Sequence, residues 1–289
     1  MKKTTKRPLD PGYIYLPDTF TQNDIKRGKL KTWLTNEVNN ALVGANRQPT
    51  ITEKEKMIET LYKILKPEAE SMAKERDFLL ELRANMASDS WPEDKKWVLT
   101  DGFCSWEGID WLSYSISNTS YSFKFKSRHI VGIDLSRHYL FGNEAVGRKG
   151  NIPESIGDLK KLRKLNLCYN FISGSIPSRI KELKSTLTEI RLEFNQLTGN
   201  LPSGFGELIN LKKLAIDHNK FEGDINELAK LTNLTWLNIH DNFFTGKVPE
   251  SMEGIKTLTH FWFYNNKFEV LGPKMKARVN NEKDWKEKL

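Results

Sequence analysis

The 289-residue chain carries 45 Lys and Arg against 37 Asp and Glu, a net charge of +8, and 38% of its residues are hydrophobic. No apolar run approaches the roughly 18 residues of a membrane-spanning helix. The two cysteines, Cys104 and Cys168, exclude a scaffold held by many disulfides. The basic excess sits at the ends: residues 1–73 hold 13 basic against 9 acidic side chains, and residues 272–289 hold 6 against 3.

The first residues, MKKTTKRPLD, lack the apolar segment of a secretory signal. Together with the scarcity of thiols this gives the expectation of an intracellular, non-secreted protein, cytoplasmic or within an organelle or cytoskeletal assembly. Two sequons, NTS at Asn118 and NLT at Asn233, point the other way.

Residues 1–73 read as a basic, helical extension. The stretch PGYIYLPDTF is expected to be extended chain. From Asn23 onward Leu30, Trp33, Leu34, Val38, Ala41 and Leu42 recur at helical spacing. A second helix is expected to open on a capping box of Thr52 with Glu55, to bury Met57, Ile58, Leu61, Tyr62 and Leu65, and to end at Pro67. Whether these helices pack on the next segment or dock a partner stays open from sequence.

Residues 74–129 begin with a helical KERDFLLELRANM, followed by Trp91, Trp97 and FCSWEGIDW, which holds Cys104, Trp106 and Trp111. The stretch SYSISNTSYSFKFKS then reads as a link to the first repeat strand.

From residue 130 to 271 the chain repeats itself. Leu162, Leu165, Leu167, Asn170 and Ile172 set a five-site template, and the first positions of the next copies, Leu187, Leu211, Leu234 and Leu258, come at intervals of 25, 24, 23 and 24 residues. A degraded copy precedes them at Ile130, Ile133, Leu135, His138 and Leu140, giving about six repeats. Alternate apolar residues such as Leu165 and Leu167 point inward from a short strand. A buried asparagine at each bend, Asn170, Asn195, Asn219, Asn242 and Asn266, can donate to and accept from the backbone, so the repeats predict an asparagine ladder. No coil buries its apolar face alone, and stacking supplies the core.

The pattern resembles plant-type leucine-rich repeats. The segment before it is similar to that family's N-terminal cap, with Trp111 standing where the second cap cysteine belongs and Cys104 and Trp106 in their usual places. The resemblance implies an α/β leucine-rich-repeat solenoid, right-handed, with short parallel strands on its concave face; to this the chain adds the α-helical N-terminal extension. The tail, residues 272–289, is basic and carries Trp285.

No catalytic set emerges. Cys168 and His240 share a template column but stand three strands apart, on the order of 14 Å. His218, His240 and His260 fall at three different template positions, so neither a metal site nor a cofactor is expected. The strand positions not used for the core are expected to face a partner: Tyr169, Arg191 and Phe194 in the first copies, Trp236, His240, His260, Trp262 and Tyr264 in the last.

The sequence therefore predicts a non-enzymatic interaction scaffold, an intracellular adaptor or fixed subunit of a multi-subunit assembly that binds protein partners. An extracellular recognition module is the alternative. A third reading has the basic ends contact an anionic polymer, such as a ribonucleoprotein or an acidic filament.

Overall fold

The computed structural model describes residues 13–43, 49–86, 108–116, 125–143, 145 and 149–270. Cys104, Trp106, Asn118 and the tail from 272 lie outside them. The described residues fall into two compact units. One is drawn from the chain up to Leu79 and from Trp111–His129; the other comprises Leu80 onward in the helix, Gly108–Asp110, and the chain from Ile130.

In the N-terminal unit, β1 (Ile14–Tyr15) pairs in parallel with the start of β3 (Phe125–Asp134), Ile14 opposite Phe125. Helix α1 (Gln22–Lys26) opens on a capping box in which Thr21 Oγ1 accepts from the Asp24 N–H and Asp24 returns the bond to the Thr21 N–H. Helix α2 (Lys29–Leu42) buries Leu30, Leu34 and Val38, one residue per turn along a single stripe.

Helix α3 (Ile51–Asn85) runs 35 residues without a break. Two sequence expectations are corrected here. The cap is Thr50 with Glu53, one box upstream of Thr52 with Glu55, which adds helix at no loss of capping. Nor does the helix end at Pro67. That residue is exposed, while Leu61, Leu65, Ala69 and Met72 stay in phase on the buried face on either side of it. A proline on the solvent side forfeits one bond, whose carbonyl water can serve, and packing outweighs the loss.

The expected link after Trp111 is in part a further correction. Strand β2 (Ile109–Ile116) pairs with β3, and β3 buries Phe125, Ser127 and His129 at alternate positions. The period of two, masked in the sequence by serines and lysines, is that of a half-buried strand. Trp111 is half-buried rather than a core residue. The Arg128 guanidinium lies 5.8 Å from its ring and 5.4 Å from that of Tyr15, and pairs with Asp18 at 3.0 Å.

In the repeat unit, the end of β3 leads a parallel ladder through β4 (Lys164–Asn166), β5 (Glu189–Arg191), β7 (Lys213–Ala215), β9 (Trp236–Asn238) and β11 (His260–Trp262). One row of core residues runs straight across it: Ile133, Leu165, Ile190, Leu214, Leu237 and Phe261 are successive register partners. A second parallel sheet, β6 (Thr198–Gly199), β8 (Lys220–Gly223), β10 (Phe243–Lys247) and β12 (Lys267–Val270), backs the coils. Short 3-10 turns, such as Ser178–Leu183 and Glu250–Gly254, close each coil and bury Ile180, Leu183 and Met252. Among the described residues no helix is long and apolar enough to cross a membrane.

Candidate functional site: the concave face

The asparagines set the geometry of this face. Asn195 donates through Nδ2 to the carbonyls of Leu167 and Leu192 at 2.9 and 3.0 Å and accepts at Oδ1 from the Ile172 N–H at 2.9 Å. Asn219 repeats the pattern with Leu192, Ile216 and the Leu197 N–H, and Asn242 with Ile216, Ile239 and the Phe221 N–H. Asn170 and Asn266 make equivalent bonds at the two ends. Each amide thus ties its own bend to the coil before it.

The residue before each ladder asparagine is left-handed: Tyr169, Phe194, His218, Asp241 and Asn265 have φ between 51° and 56°. A side chain in that region costs about 1–2 kcal/mol, which the ladder bonds and the sheet offset. The turn brings this column's side chains together. Tyr169 stacks on Phe194 at 4.4 Å and Phe194 on His218 at 3.9 Å, and the Arg137 guanidinium lies 4.7 Å from the Tyr169 ring. Tyr139 and Phe171, both exposed, flank Tyr169 in a shallow hollow.

The expected partner residues divide into four groups. Trp236, His260 and Trp262 form one aromatic cluster: Trp236 lies 4.5 Å from His260 and 4.6 Å from Trp262, and the Lys213 ammonium sits 5.3 Å from the Trp236 ring. His260 is exposed, and both tryptophans are half-buried. Tyr169 and Phe194 belong to the stack just described. Arg191 turns back on Glu193, which accepts from its Nε at 2.8 Å and also from Nη2.

His240 is a different case and a correction. At 9% exposure it lies beneath the face rather than on it, its ring 4.4 Å from Tyr264 and nearly parallel to it. Its neighbours are charged. Asp241 Oδ2 is 2.5 Å from His240 Nδ1 and 3.4 Å from His218 Nε2, while Asp217 Oδ2 is 3.0 Å from His218 Nδ1 and 3.8 Å from His240 Nε2. Desolvation opposes ionisation of Asp241, yet the bonds from Asn265 and His240 hold its carboxyl below the usual range. Burial first, then the nearby Asp241 and Asp217, pushes the Tyr264 hydroxyl up.

Template position alone keeps His218 apart from His240: His240 shares the column of Cys168, His218 stands one position further along its own copy, and strand alternation sends neighbouring positions to opposite faces. The left-handed turn at His218 cancels that rule, and the rings meet edge-on at 4.9 Å. His260 stays with Trp236. Sequence reasoning misses His218, Asp241 and Arg137, which all occupy the position before the ladder residue, and that position is the available signal.

Cys168 is buried, and desolvation, with the Glu193 charge second, pushes its thiol up to about 12. At neutral pH it stays protonated and is a poor nucleophile.

Comparison with known proteins agrees with this geometry. Residues 161–183, 186–208 and 233–255 match the Leucine Rich Repeat family model. The leucine-rich-repeat ectodomain of the receptor kinase SOBIR1 from Arabidopsis thaliana aligns with a TM-score of 0.56 and 23% identity, over 69% of this chain and 97% of that one. A plant ice-binding protein aligns at 0.53 and 25%, over 71% and 60%. The ectodomain of the Arabidopsis receptor kinase HAESA, solved with a peptide hormone ligand, aligns at 0.52 and 24%, over 69% of this chain but 30% of its own. These likenesses speak to the fold alone. The chain carries leucine-rich repeats, and its repeat unit has the fold of the plant leucine-rich-repeat solenoids.

Proposed function

We propose that this protein is a recognition module that binds a protein or peptide on the concave face of its repeats. The observation that carries the reading is the cluster of Trp236, His260 and Trp262, where two half-buried indoles and an exposed imidazole pack together on strands β9 and β11. Tryptophan held rigid and part-exposed is the usual anchor of a binding hot spot. Lys164, Glu189, Lys213 and Arg191 on the neighbouring strands supply a mixed-charge rim.

Two settings fit such a module. An extracellular recognition role is favoured by the likeness to receptor ectodomains and by the sequon at Asn233, which is exposed. An intracellular adaptor role is favoured by the cysteine content, since the repeat unit holds its buried Cys168 as a free thiol. The anionic-polymer reading rests on the basic ends alone.

Cross-linking mass spectrometry on the protein recovered from its own cells tests the reading. It predicts reproducible links from Lys164 and Lys213 to one polypeptide partner. Links confined to the outer sheet, for instance from Lys220 and Lys247, would reject it. Glycan on Asn233 in the same sample marks the extracellular setting, and a bare Asn233 the intracellular one.

A further inference from the structure

We propose that Asp217, His218 and His240 bind one divalent transition-metal ion of the zinc class. Their ligand atoms all lie within 4.8 Å of one another. A tetrahedral ion with N and O ligands at about 2.0–2.1 Å needs donors about 3.4 Å apart. The Asp217 Oδ2 to His218 Nδ1 and Asp217 Oδ2 to His240 Nε2 separations, 3.0 and 3.8 Å, bracket that value.

Two further features point to an ion. Asp217 is only 3% exposed, and its Oδ1 is buried with no hydrogen-bond partner. A buried carboxylate oxygen left without a donor is costly, and a cation held by both oxygens of that carboxylate meets the need. Second, Asp241 takes His240 Nδ1 at 2.5 Å and accepts from Asn265 Nδ2 at 2.7 Å, while Tyr264 clamps the ring. That is the carboxylate–histidine arrangement that fixes a ligating imidazole, and it leaves Nε2 as the donor toward Asp217.

The same groups could serve as ion pairs without a metal. Those pairs all engage Asp217 Oδ2 and leave Oδ1 without a partner, whereas an ion gripped by both oxygens of the carboxylate satisfies it. Two imidazoles and one carboxylate suit zinc and its neighbours better than the all-oxygen cations calcium and magnesium. Three protein donors leave a fourth position for water or for a donor from a bound partner.

The test is calorimetric titration of the chelator-stripped full chain with zinc chloride, with cobalt as a spectroscopic stand-in. The expected result is one saturable site per chain and the visible absorption of tetrahedral cobalt. His218→Ala and His240→Ala should each lose more than about 100-fold in affinity, beyond the 10- to 100-fold cost of removing an outer partner. His218 is half-exposed, so His218→Ala keeps the fold, as circular dichroism will check. His260→Ala, on the same face but outside the trio, should bind as the parent does. No saturable binding, or binding unchanged in both His218→Ala and His240→Ala, would overturn the proposal.

Discussion

Asp241 Oδ2 lies 2.5 Å from His240 Nδ1 and 3.4 Å from His218 Nε2, so one carboxylate touches two imidazoles from adjacent repeats. The contact exists because Asp241 and His218 both sit in the left-handed turn before a ladder asparagine. If Asp217, His218 and His240 hold zinc, Asp241 acts through His240 rather than on the ion. Asp241→Asn should then weaken zinc binding by about 10- to 100-fold and leave the stoichiometry at one, read by the same titration.

The ladder makes a prediction about stability. Asn219→Ala deprives the carbonyls of Leu192, Ile216 and Asp217 of a donor and the Leu197 N–H of its acceptor, all within a buried turn. Unsatisfied buried groups cost about 1–3 kcal/mol each, so a loss of roughly 3 kcal/mol or more is expected in urea unfolding. Asn233→Ala, on the exposed side with one bond to the Ile209 carbonyl, should cost about 1 kcal/mol or less.

The N-terminal unit should be sensitive to alkali. His129 is 1% exposed, with Glu75 2.6 Å from Nδ1 and Glu68 2.8 Å from Nε2. Burial by itself would lower its pKa, but the two carboxylates raise it from the usual 6.5 to about 9. Because the folded value is the higher one, the stabilisation is complete below about pH 6.5 and is lost as pH rises through about 9. Its size is on the order of 3 kcal/mol. Denaturant unfolding at pH 6.5 and 9.5 should show that loss. His129→Gln should be destabilised at pH 6.5, since it takes the cation from the buried Glu75, and should show a flatter dependence on pH.

The aromatic cluster should matter for binding more than for folding. Trp236 and Trp262 are half-buried; Trp236 stacks on His260, and Trp262 packs at a tilt against both. The Trp236→Ala, Trp262→Ala double variant should keep the strand signal in circular dichroism. It should weaken partner binding by about 2 kcal/mol or more, the range of a hot spot, measured by calorimetry with the cross-linked partner.

Much of this fold is legible in the sequence, for a physical reason. Leu165, Leu167 and Asn170 recur because each coil solves the same packing problem, so five copies restate one local rule. The N-terminal unit carries no repetition and is less legible. Pro67 masks the continuity of α3, since a local propensity is outweighed by an apolar stripe whose phase persists on both sides of it. On the strand face, alternation puts Trp236, His260 and Trp262 on one side, and their rings pack together there. It fails at His218 and His240, where a left-handed turn joins columns that alternation keeps apart.

The most direct test of recognition through the concave face is site-specific photo-cross-linking in the protein's native cells. A benzophenone amino acid would replace Lys213 on β7, beside the aromatic cluster but not part of it, in one variant and Glu222 on β8 of the opposite sheet in another. Recognition through the concave face predicts a discrete adduct with one polypeptide from position 213 and none from position 222. An adduct from position 222 alone would contradict it and move the binding surface to the other side of the solenoid.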